Sequence, residues 1–506
     1  MKVTSSLISG TAAMLALTGA QAADLPVKAK AIEYVKVCSL YGAGFYYIPG
    51  TDTCIKLGGY LRVQASLGTN GLYDAPNTGV GGARNRLSNY YTANSREALT
   101  IDTRTATEYG MVRTFFEGAF TWTGGGYSGA GTTAVNGSTA YSTSPTNQIS
   151  GGGLSVWHAF IQFAGFTIGK AQSQFNTPWT NYPGNNFDGL PGSSGWEPVN
   201  QLTYTADFGQ GITASFSAQE QVANHTTNIW NVSGATANGL AAGAYGANDI
   251  GGTRSPDLVA MLRVDQAWGL LQASFAAHDN LAAYYGASET TGHPGDKWGW
   301  AGQLGLSIKN IPTGPGDTIN LTGVYTNGAS RYAFNSYMTT TFAMYGGTGG
   351  AGAYQSLGLA GLSDSVFVTG SGQELTTTYG FQGAYTHNWN PNWNTALYGA
   401  WAAVRHNGTA KSYICGAFVP TLALSTGVAG CNPDFNYGVV GVITRWTPVK
   451  NLTFSADLAY AMLDQKYAGG STVTLPLQSG IAKPNAVYEL KDQNALTLLI
   501  RAQRNW

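Results

Sequence analysis

The chain has 506 residues, enough for several soluble domains or one large barrel, and only 10% of them are charged. Aromatic residues make up 12% of the chain, which excludes a disordered protein. No apolar run of about 18 residues follows the N-terminus, so we expect no membrane-spanning helix. Low charge without helical periodicity is instead typical of membrane proteins whose strands alternate in polarity.

The first residues have the pattern of a secretory signal peptide, which we place at residues 1–22. Lys2 supplies the charged start, an apolar stretch covers 7–17, and Ala20 and Ala22 frame an A-x-A cleavage site. Removing Lys2 leaves 25 basic residues against 26 acidic ones, so the exported chain has a net charge near −1. A charge so close to neutral argues against nucleic acid as a partner.

The four cysteines fall into two local pairs, Cys38 with Cys54 and Cys415 with Cys431, and each pair is 16 positions apart. Exported chains meet oxidants, so an even count in two local pairs predicts two disulfides. The alternative is a zinc site, which the small number of histidines and the lack of a C-x-x-C motif disfavour. We therefore predict disulfides and no metal site.

The first predicted strand, at 55–67, has one apolar and one polar face. Leu57 and Leu61 share the apolar face, while Arg62 and Gln64 lie on the polar one, because successive side chains of a strand point to opposite sides. This stretch is long for a soluble strand and suits a tilted strand that crosses a bilayer.

The end of the sequence, at 494–506, repeats this design with Arg501 on its polar face. Only Leu499 and Arg504 break the alternation. A first and a last strand with matching faces predict a sheet that closes on itself.

Between these two strands the chain predicts seven pairs of strands, each pair joined by a short turn, with long loops between the pairs. This layout indicates an all-β fold, a transmembrane antiparallel barrel of about 16 strands with short periplasmic turns and long outer loops. Tryptophans near strand ends, Trp157 and Trp446 among them, predict aromatic girdles; a soluble sandwich is the alternative. The predicted pairs are 96–105 with 109–122, 154–163 with 166–172, 201–208 with 212–222, 257–265 with 268–278, 298–310 with 317–327, 374–388 with 393–406, and 435–446 with 452–464.

Catalytic motifs are missing from the sequence. Two G-x-G-x-x-G matches, at 124–129 and 347–352, lie in glycine-rich loops and not between a strand and a helix, so we interpret them as flexible loops. The six histidines are scattered. We therefore predict no catalytic residue and no cofactor, although an outer-membrane barrel enzyme that assembles its site in space and a secreted adhesin remain alternatives.

Two stretches carry a family resemblance. YGAGFYYIPGTDTC at 41–54, which runs into IKLGGYLR at 55–62, and AFIQFAGFTIGK at 159–170 resemble the start and the hairpin before the third loop of the alphaproteobacterial general porins. The resemblance implies an outer-membrane barrel at 55–506 after an N-terminal segment at 23–54. It also implies a homotrimer in outer-membrane lipid that passes small hydrophilic solutes and ions, with its third loop folded into the lumen.

Charged residues on the polar faces are the candidate filter of such a pore. We expect arginines on the wall to face acids of the loop at 173–200, which would create a transverse field. Arg96, Arg104 and Arg113 share the polar face of one hairpin, which predicts a basic patch, whereas Lys170 falls on the apolar face. The alternative is that these charges only pair across the wall. The predicted constriction consists of Arg62, Arg96, Arg104, Arg113, Arg501, Asp102 and Glu117 on the wall, and Asp188 and Glu197 on the loop.

Overall fold

A computed structural model describes residues 36–68, 83–86, 90–123, 153–179, 184–221 and 225–506. Sixteen antiparallel strands each pair with the next along the chain, and the last pairs with the first, so the predicted closed barrel is confirmed. The predicted signal peptide and the glycine motif at 124–129 lie outside the described residues. The strands are β1 (Thr53–Gly68), β2 (Tyr91–Thr107), β3 (Gly110–Thr123), β4 (Gly153–Phe163), β5 (Phe166–Gln172), β6 (Pro198–Asp207), β7 (Ile212–Gln219), β8 (Asp257–Gln266), β9 (Gly269–Asn280), β10 (Lys297–Lys309), β11 (Thr318–Asn327), β12 (Thr377–Asn390), β13 (Trp393–Arg405), β14 (Phe435–Val449), β15 (Leu452–Gln465) and β16 (Gln493–Asn505).

The alternation of β1 and β16 sorts side chains between the outside and the lumen as the sequence predicts. Leu61 of β1 is exposed on the outer face, while Arg62 and Arg501 are buried inside. The two exceptions on β16 have separate causes. Leu499 points into the lumen, where it packs in an apolar core, and Arg504 lies at the periplasmic end, where its guanidinium donates to a backbone carbonyl of the β14–β15 turn.

Tryptophans form the predicted girdles on the outer surface, and Trp298, Trp393 and Trp446 are exposed there. Trp157 does not belong to these girdles, so that prediction is wrong. A β-bulge interrupts the register between β3 and β4, and the extra residue shifts the parity of the strand. Trp157 therefore points into the lumen, where its ring stacks on Trp196.

Both predicted disulfides, Cys38–Cys54 and Cys415–Cys431, are confirmed. The first fastens the N-terminal segment, whose short strand Tyr46–Tyr47 pairs with the start of β1. The second joins the helix Gly408–Leu422 to the loop that follows it. None of the helices in the described ranges is long and apolar enough to cross a bilayer.

The outer loops are folded, which the sequence did not predict. L4 (220–256) and L6 (328–376) build one four-stranded sheet, and L6 and L8 (466–492) build another. The helix of L7 (406–434) packs with them in a shared apolar core. The glycine motif at 347–352 lies between two strands of one hairpin, so no helix follows it as dinucleotide binding would require.

L6 also enters the barrel and fills part of the lumen. Phe435 and Tyr437 are lumen-facing residues of β14. Phe334 and Phe342 of L6 pack on Phe435, and Phe342 also packs edge-on against Tyr437. L3 (173–197) contributes Phe187 to the same core. The wall of β12–β16 toward the outer mouth therefore packs against these loops through a largely apolar core.

Candidate functional site

Four arginines project into the lumen around the β16–β1 closure. Arg62 of β1 lies directly opposite Arg96 of β2 in the strand register. Arg501 of β16 lies diagonally from Arg62 and is paired with Ser455 of β15, which is itself paired with Arg445 of β14. Paired residues of neighbouring strands point to the same face. These four arginines therefore form one basic surface, which we call the arginine wall.

Neutral amides hold the guanidinium groups of the arginine wall in place. Arg501 donates from Nε to Gln64 Oε1 (2.6 Å), from Nη1 to Asn186 Oδ1 (3.3 Å) and from Nη2 to the Asn186 carbonyl (3.0 Å). Arg62 Nε donates to Gln503 Oε1 at 2.8 Å. An amide oxygen orients a guanidinium without cancelling its charge, so the contacts that orient Arg501 leave its positive charge in the lumen.

Arg96 begins an aromatic stack that connects the wall to two loops. Its Nε donates to Thr121 Oγ1 (3.0 Å), and its guanidinium lies 5.1 Å from the ring centre of Trp157. The Trp157 ring stacks on Trp196 of L3 at 4.2 Å, and Trp196 stacks on Tyr337 of L6 at 6.0 Å. The stack fastens the end of L3 between the barrel wall and L6.

A second charged group lies nearer the periplasmic turn. Asp102 accepts hydrogen bonds from Arg104 and Arg113, with a shortest distance of 3.0 Å to each guanidinium, and Arg113 also donates to Gln162 Oε1. Arg104 and Arg113 are directly opposite in the register. Arg96 lies eight residues from Arg104 on the same strand, roughly 27 Å away. The structure thus divides the predicted three-arginine patch and pairs two of its members with a carboxylate.

The remaining wall prediction places Glu117 in the lumen, and the structure puts its Oε2 2.7 Å from Nδ1 of His158 on β4. Lys170 follows the outward parity of β5, as predicted, and its Nζ donates to the backbone carbonyl of Val156.

The two acids of L3 lie against L6. Glu197 accepts a hydrogen bond from the Ser336 hydroxyl, and the charged groups that act on it are Lys170, Arg331 and Asp188. Burial raises the pKa of the Glu197 carboxyl above its ordinary value. Asp188 is almost fully buried. Among the described L3 residues, Asn186 contacts the arginine wall through Arg501.

L3 is anchored to the strands that carry the arginine wall. The backbone N–H of Asn186 donates to Asp457 Oδ2 (2.6 Å), and its side-chain amide donates to Ser455 Oγ (2.7 Å). Asp457 Oδ1 accepts from the Tyr398 hydroxyl at 2.8 Å. Sequence reasoning missed Asn186, Asp457 and Arg445. Period-two parity places Asp457 and Arg445 in the lumen, but Arg445 shares its face with apolar residues of β14, which concealed the signal.

A family model described as "Porin subfamily" matches residues 24–499. The chain belongs to this family. Porin Omp2b of Brucella suis biovar 1 (strain 1330) is 32% identical over 222 residues, 44% of this chain and 54% of that protein, and Omp2b of Brucella abortus (strain 2308) gives the same values. The matched part of this porin thus spans about half the length of the curated relatives.

Among solved structures, the outer membrane channel DcaP of Acinetobacter baumannii is similar to this porin, with a TM-score of 0.56 and 15% identity. The similarity covers 91% of this chain and 99% of that chain, and at this identity it shows the barrel fold alone. Family and fold together place the porin in the bacterial outer membrane.

Proposed function

We propose that this porin is a passive diffusion channel, without catalysis, for small hydrophilic solutes and ions. The observation that carries the proposal is the contrast within the lumen. The loops cover the β12–β16 wall toward the outer mouth with apolar side chains, whereas the β14–β16 and β1–β4 strands present arginines and amides beneath L3. Charged groups on a water-filled wall select solutes through their field.

The proposed filter has two levels. The arginine wall, with Arg62, Arg96 and Arg501 from the predicted set, forms the narrow section beneath L3. The group of Asp102, Arg104 and Arg113 forms a second level nearer the periplasm, with Glu117 above it on β3.

Recording in planar bilayers tests this function. Purified protein should give stepwise, ohmic conductance, and a folded barrel that never conducts would overturn the proposal. In a salt gradient, Arg104→Gln with Arg113→Gln should shift the reversal potential toward cations. Asp102→Asn, a matched change at the same level, should shift it toward anions. Both shifts should shrink at 1 M salt, where screening acts over about 3 Å.

Asp188 and Glu197 belong to the same proposal with a smaller effect. Neutralising both should shift selectivity toward anions by less than Asp102→Asn does, because Asp188 is buried and burial raises the pKa of Glu197, which disfavours its charged form. A shift larger than that of Asp102→Asn would show that Asp188 and Glu197 contribute more to ion selectivity than Asp102 does, which would contradict this ranking.

We further propose a homotrimer embedded in outer-membrane lipid. The outer wall is largely apolar, yet Glu97 of β2 points outward in mid-strand, between Leu61 of β1 and Phe120 of β3. An ionisable side chain facing lipid is costly, which favours a protein contact on this face. Unheated protein should migrate as a trimer in a detergent gel and become monomeric on boiling, and Glu97→Leu should lower the dissociation temperature. If lipid covers this face, the variant will keep its oligomeric state and its barrel will melt at a higher temperature.

A further inference from the structure

A cavity of about 270 Å³ lies inside the barrel, between L3 and the lumen face of the closing strands. Its charged lining consists of Arg62, Arg445 and Arg501, and Asn185 and Asn186 supply the L3 side. The other groups that the described residues contribute to its lining are neutral and polar. The volume is near the lower end of small-molecule sites, so it suits a small solute.

The arginines of this cavity are oriented for recognition. Arg501 is held by Gln64 and Asn186, and Arg445 donates from Nη1 to Asn394 Oδ1 at 3.4 Å. Both are therefore positioned by amides, in contrast to Arg104 and Arg113 lower in the barrel, which share a carboxylate. A planar guanidinium offers paired N–H donors whose geometry matches carboxylate and phosphate oxygens.

Asn185 provides an independent sign that a ligand belongs here. Its side chain is fully buried and lines the cavity, yet within the described ranges both its amide nitrogen and its amide oxygen have no hydrogen-bond partner. A buried amide without partners costs about 1–3 kcal/mol, so such a group is normally satisfied. An oxyanion in the cavity would accept from its –NH₂ group.

The charge balance of the cavity favours an anion. Asp457 acts on Arg445 and Arg501, and its two oxygens are occupied by the Asn186 N–H and the Tyr398 hydroxyl. Among the described groups, the three guanidinium groups that line the cavity outnumber this one carboxylate.

We propose that this cavity is a binding subsite for small oxyanions, solutes that carry a carboxylate or phosphate group, on their way through the pore. The proposal rests on the proposed channel function and names the class of solute that the channel favours. Arg445 and Arg501 donate hydrogen bonds to the anion, Arg62 attracts it electrostatically, and Asn185 donates a hydrogen bond from its side-chain amide.

Inorganic phosphate is the probe, and two measurements separate this site from the channel function. The first is phosphate binding to the detergent-solubilised porin by titration calorimetry, which does not depend on conduction. The second is the concentration of phosphate that halves the chloride current in a planar bilayer. Arg263→Gln is the matched control, because Arg263 of β8 also donates to an amide, Gln272 Oε1 at 2.9 Å, and does not line the cavity.

Arg445→Gln and Arg501→Gln should each weaken phosphate binding at least about tenfold, since a charged hydrogen bond contributes roughly 1.5–3 kcal/mol. Asn185→Ala should weaken it several-fold and keeps the test valid if an arginine variant fails to fold. Arg263→Gln should bind like wild type. Wild-type protein that does not bind phosphate, or cavity variants that all bind like Arg263→Gln, would overturn the subsite. Binding without any conductance would overturn the channel and leave the subsite supported.

Discussion

Asp364 holds the loops inside the barrel, and replacing it should open them while leaving the wall intact. Its side chain is fully buried in L6. Oδ1 accepts from the backbone N–H (2.6 Å) and the hydroxyl (2.7 Å) of Ser330, and Oδ2 accepts from the backbone N–H of Thr227 in L4 (2.7 Å). Nε2 of His278 on β9 lies 3.8 Å from Oδ2. One carboxylate therefore joins L6, L4 and the barrel wall.

Asp364→Ala removes these acceptors and leaves two backbone N–H groups buried without a partner. Each such group costs about 1–3 kcal/mol, so the loops should lose about 2–6 kcal/mol of packing stability. The strand ladder contributes none of these bonds and should be unaffected. Asp364→Asn keeps an oxygen for Ser330 and should give an intermediate loss.

Hydrogen exchange measures this loss directly, because amides in L6 exchange through local opening. Peptides from L6 should exchange at least about 30-fold faster in Asp364→Ala, since 1.4 kcal/mol corresponds to a factor of ten. Peptides from β1 and β2 should exchange as in wild type, and Glu289→Ala, at an exposed acid of the β9–β10 loop, should change neither. Single-channel conductance should rise as the lumen opens. A folded Asp364→Ala barrel with L6 fully protected and unchanged conductance would refute this role.

Three further predictions concern the loops. Reducing the Cys415–Cys431 disulfide should destabilise L7 by about 3 kcal/mol in the simple loop-entropy model. The outer loops should then melt at a lower temperature in reduced protein than in oxidised protein. Equal melting temperatures would contradict this prediction. Burial lowers the pKa of His225 from 6.5 to about 4, so only the opened state binds its proton between these values. Loop stability should therefore fall as pH drops from 6.5 to 4, and His225→Asn should flatten the pH dependence of L4 exchange. Gly192 has φ +87°, and an added Cβ would lie 2.3 Å from the Phe381 carbonyl oxygen. Gly192→Ala should therefore loosen L3 and raise the hydrogen-exchange rate of its amides. The control Gly209→Ala, at a turn glycine with φ +74° and open space around it, should leave L3 exchange unchanged.

The barrel could be predicted from the sequence because lipid and water impose opposite demands on alternate residues. Leu61 and Arg62 are neighbours that lie on opposite sides of one wall, and this contrast recurs along most strands. The prediction weakens where the lumen holds protein and not water. Leu499 and Tyr437 face inward and pack in the apolar core that the wall shares with L3 and L6. Their strands therefore carry apolar residues on both faces, and period-two parity no longer distinguishes the two sides.

The candidate site was predictable only for residues on strands. Parity assigned Arg62, Arg96 and Arg501 to the lumen because a strand fixes the direction of each side chain. A loop has no such rule, so the sequence of L3 shows which charges it carries but not where they point.

The orientation of L3 determines which of its side chains meet the proposed filter. If Asp188 and Glu197 both faced the arginine wall, two carboxylates would offset half of its four positive charges and create a transverse field across the section. In the structure Asn186 contacts Arg501 and Glu197 lies near Arg331, so L3 meets Arg501 through a neutral amide and not through the Glu197 carboxylate. Neutral amides opposite arginines leave the guanidinium groups able to bind an anion, whereas carboxylates in the same place would produce a transverse field between opposite fixed charges. If the proposed subsite binds oxyanions, the neutral side chains of Asn185 and Asn186 set the kind of solute that the proposed narrow section favours.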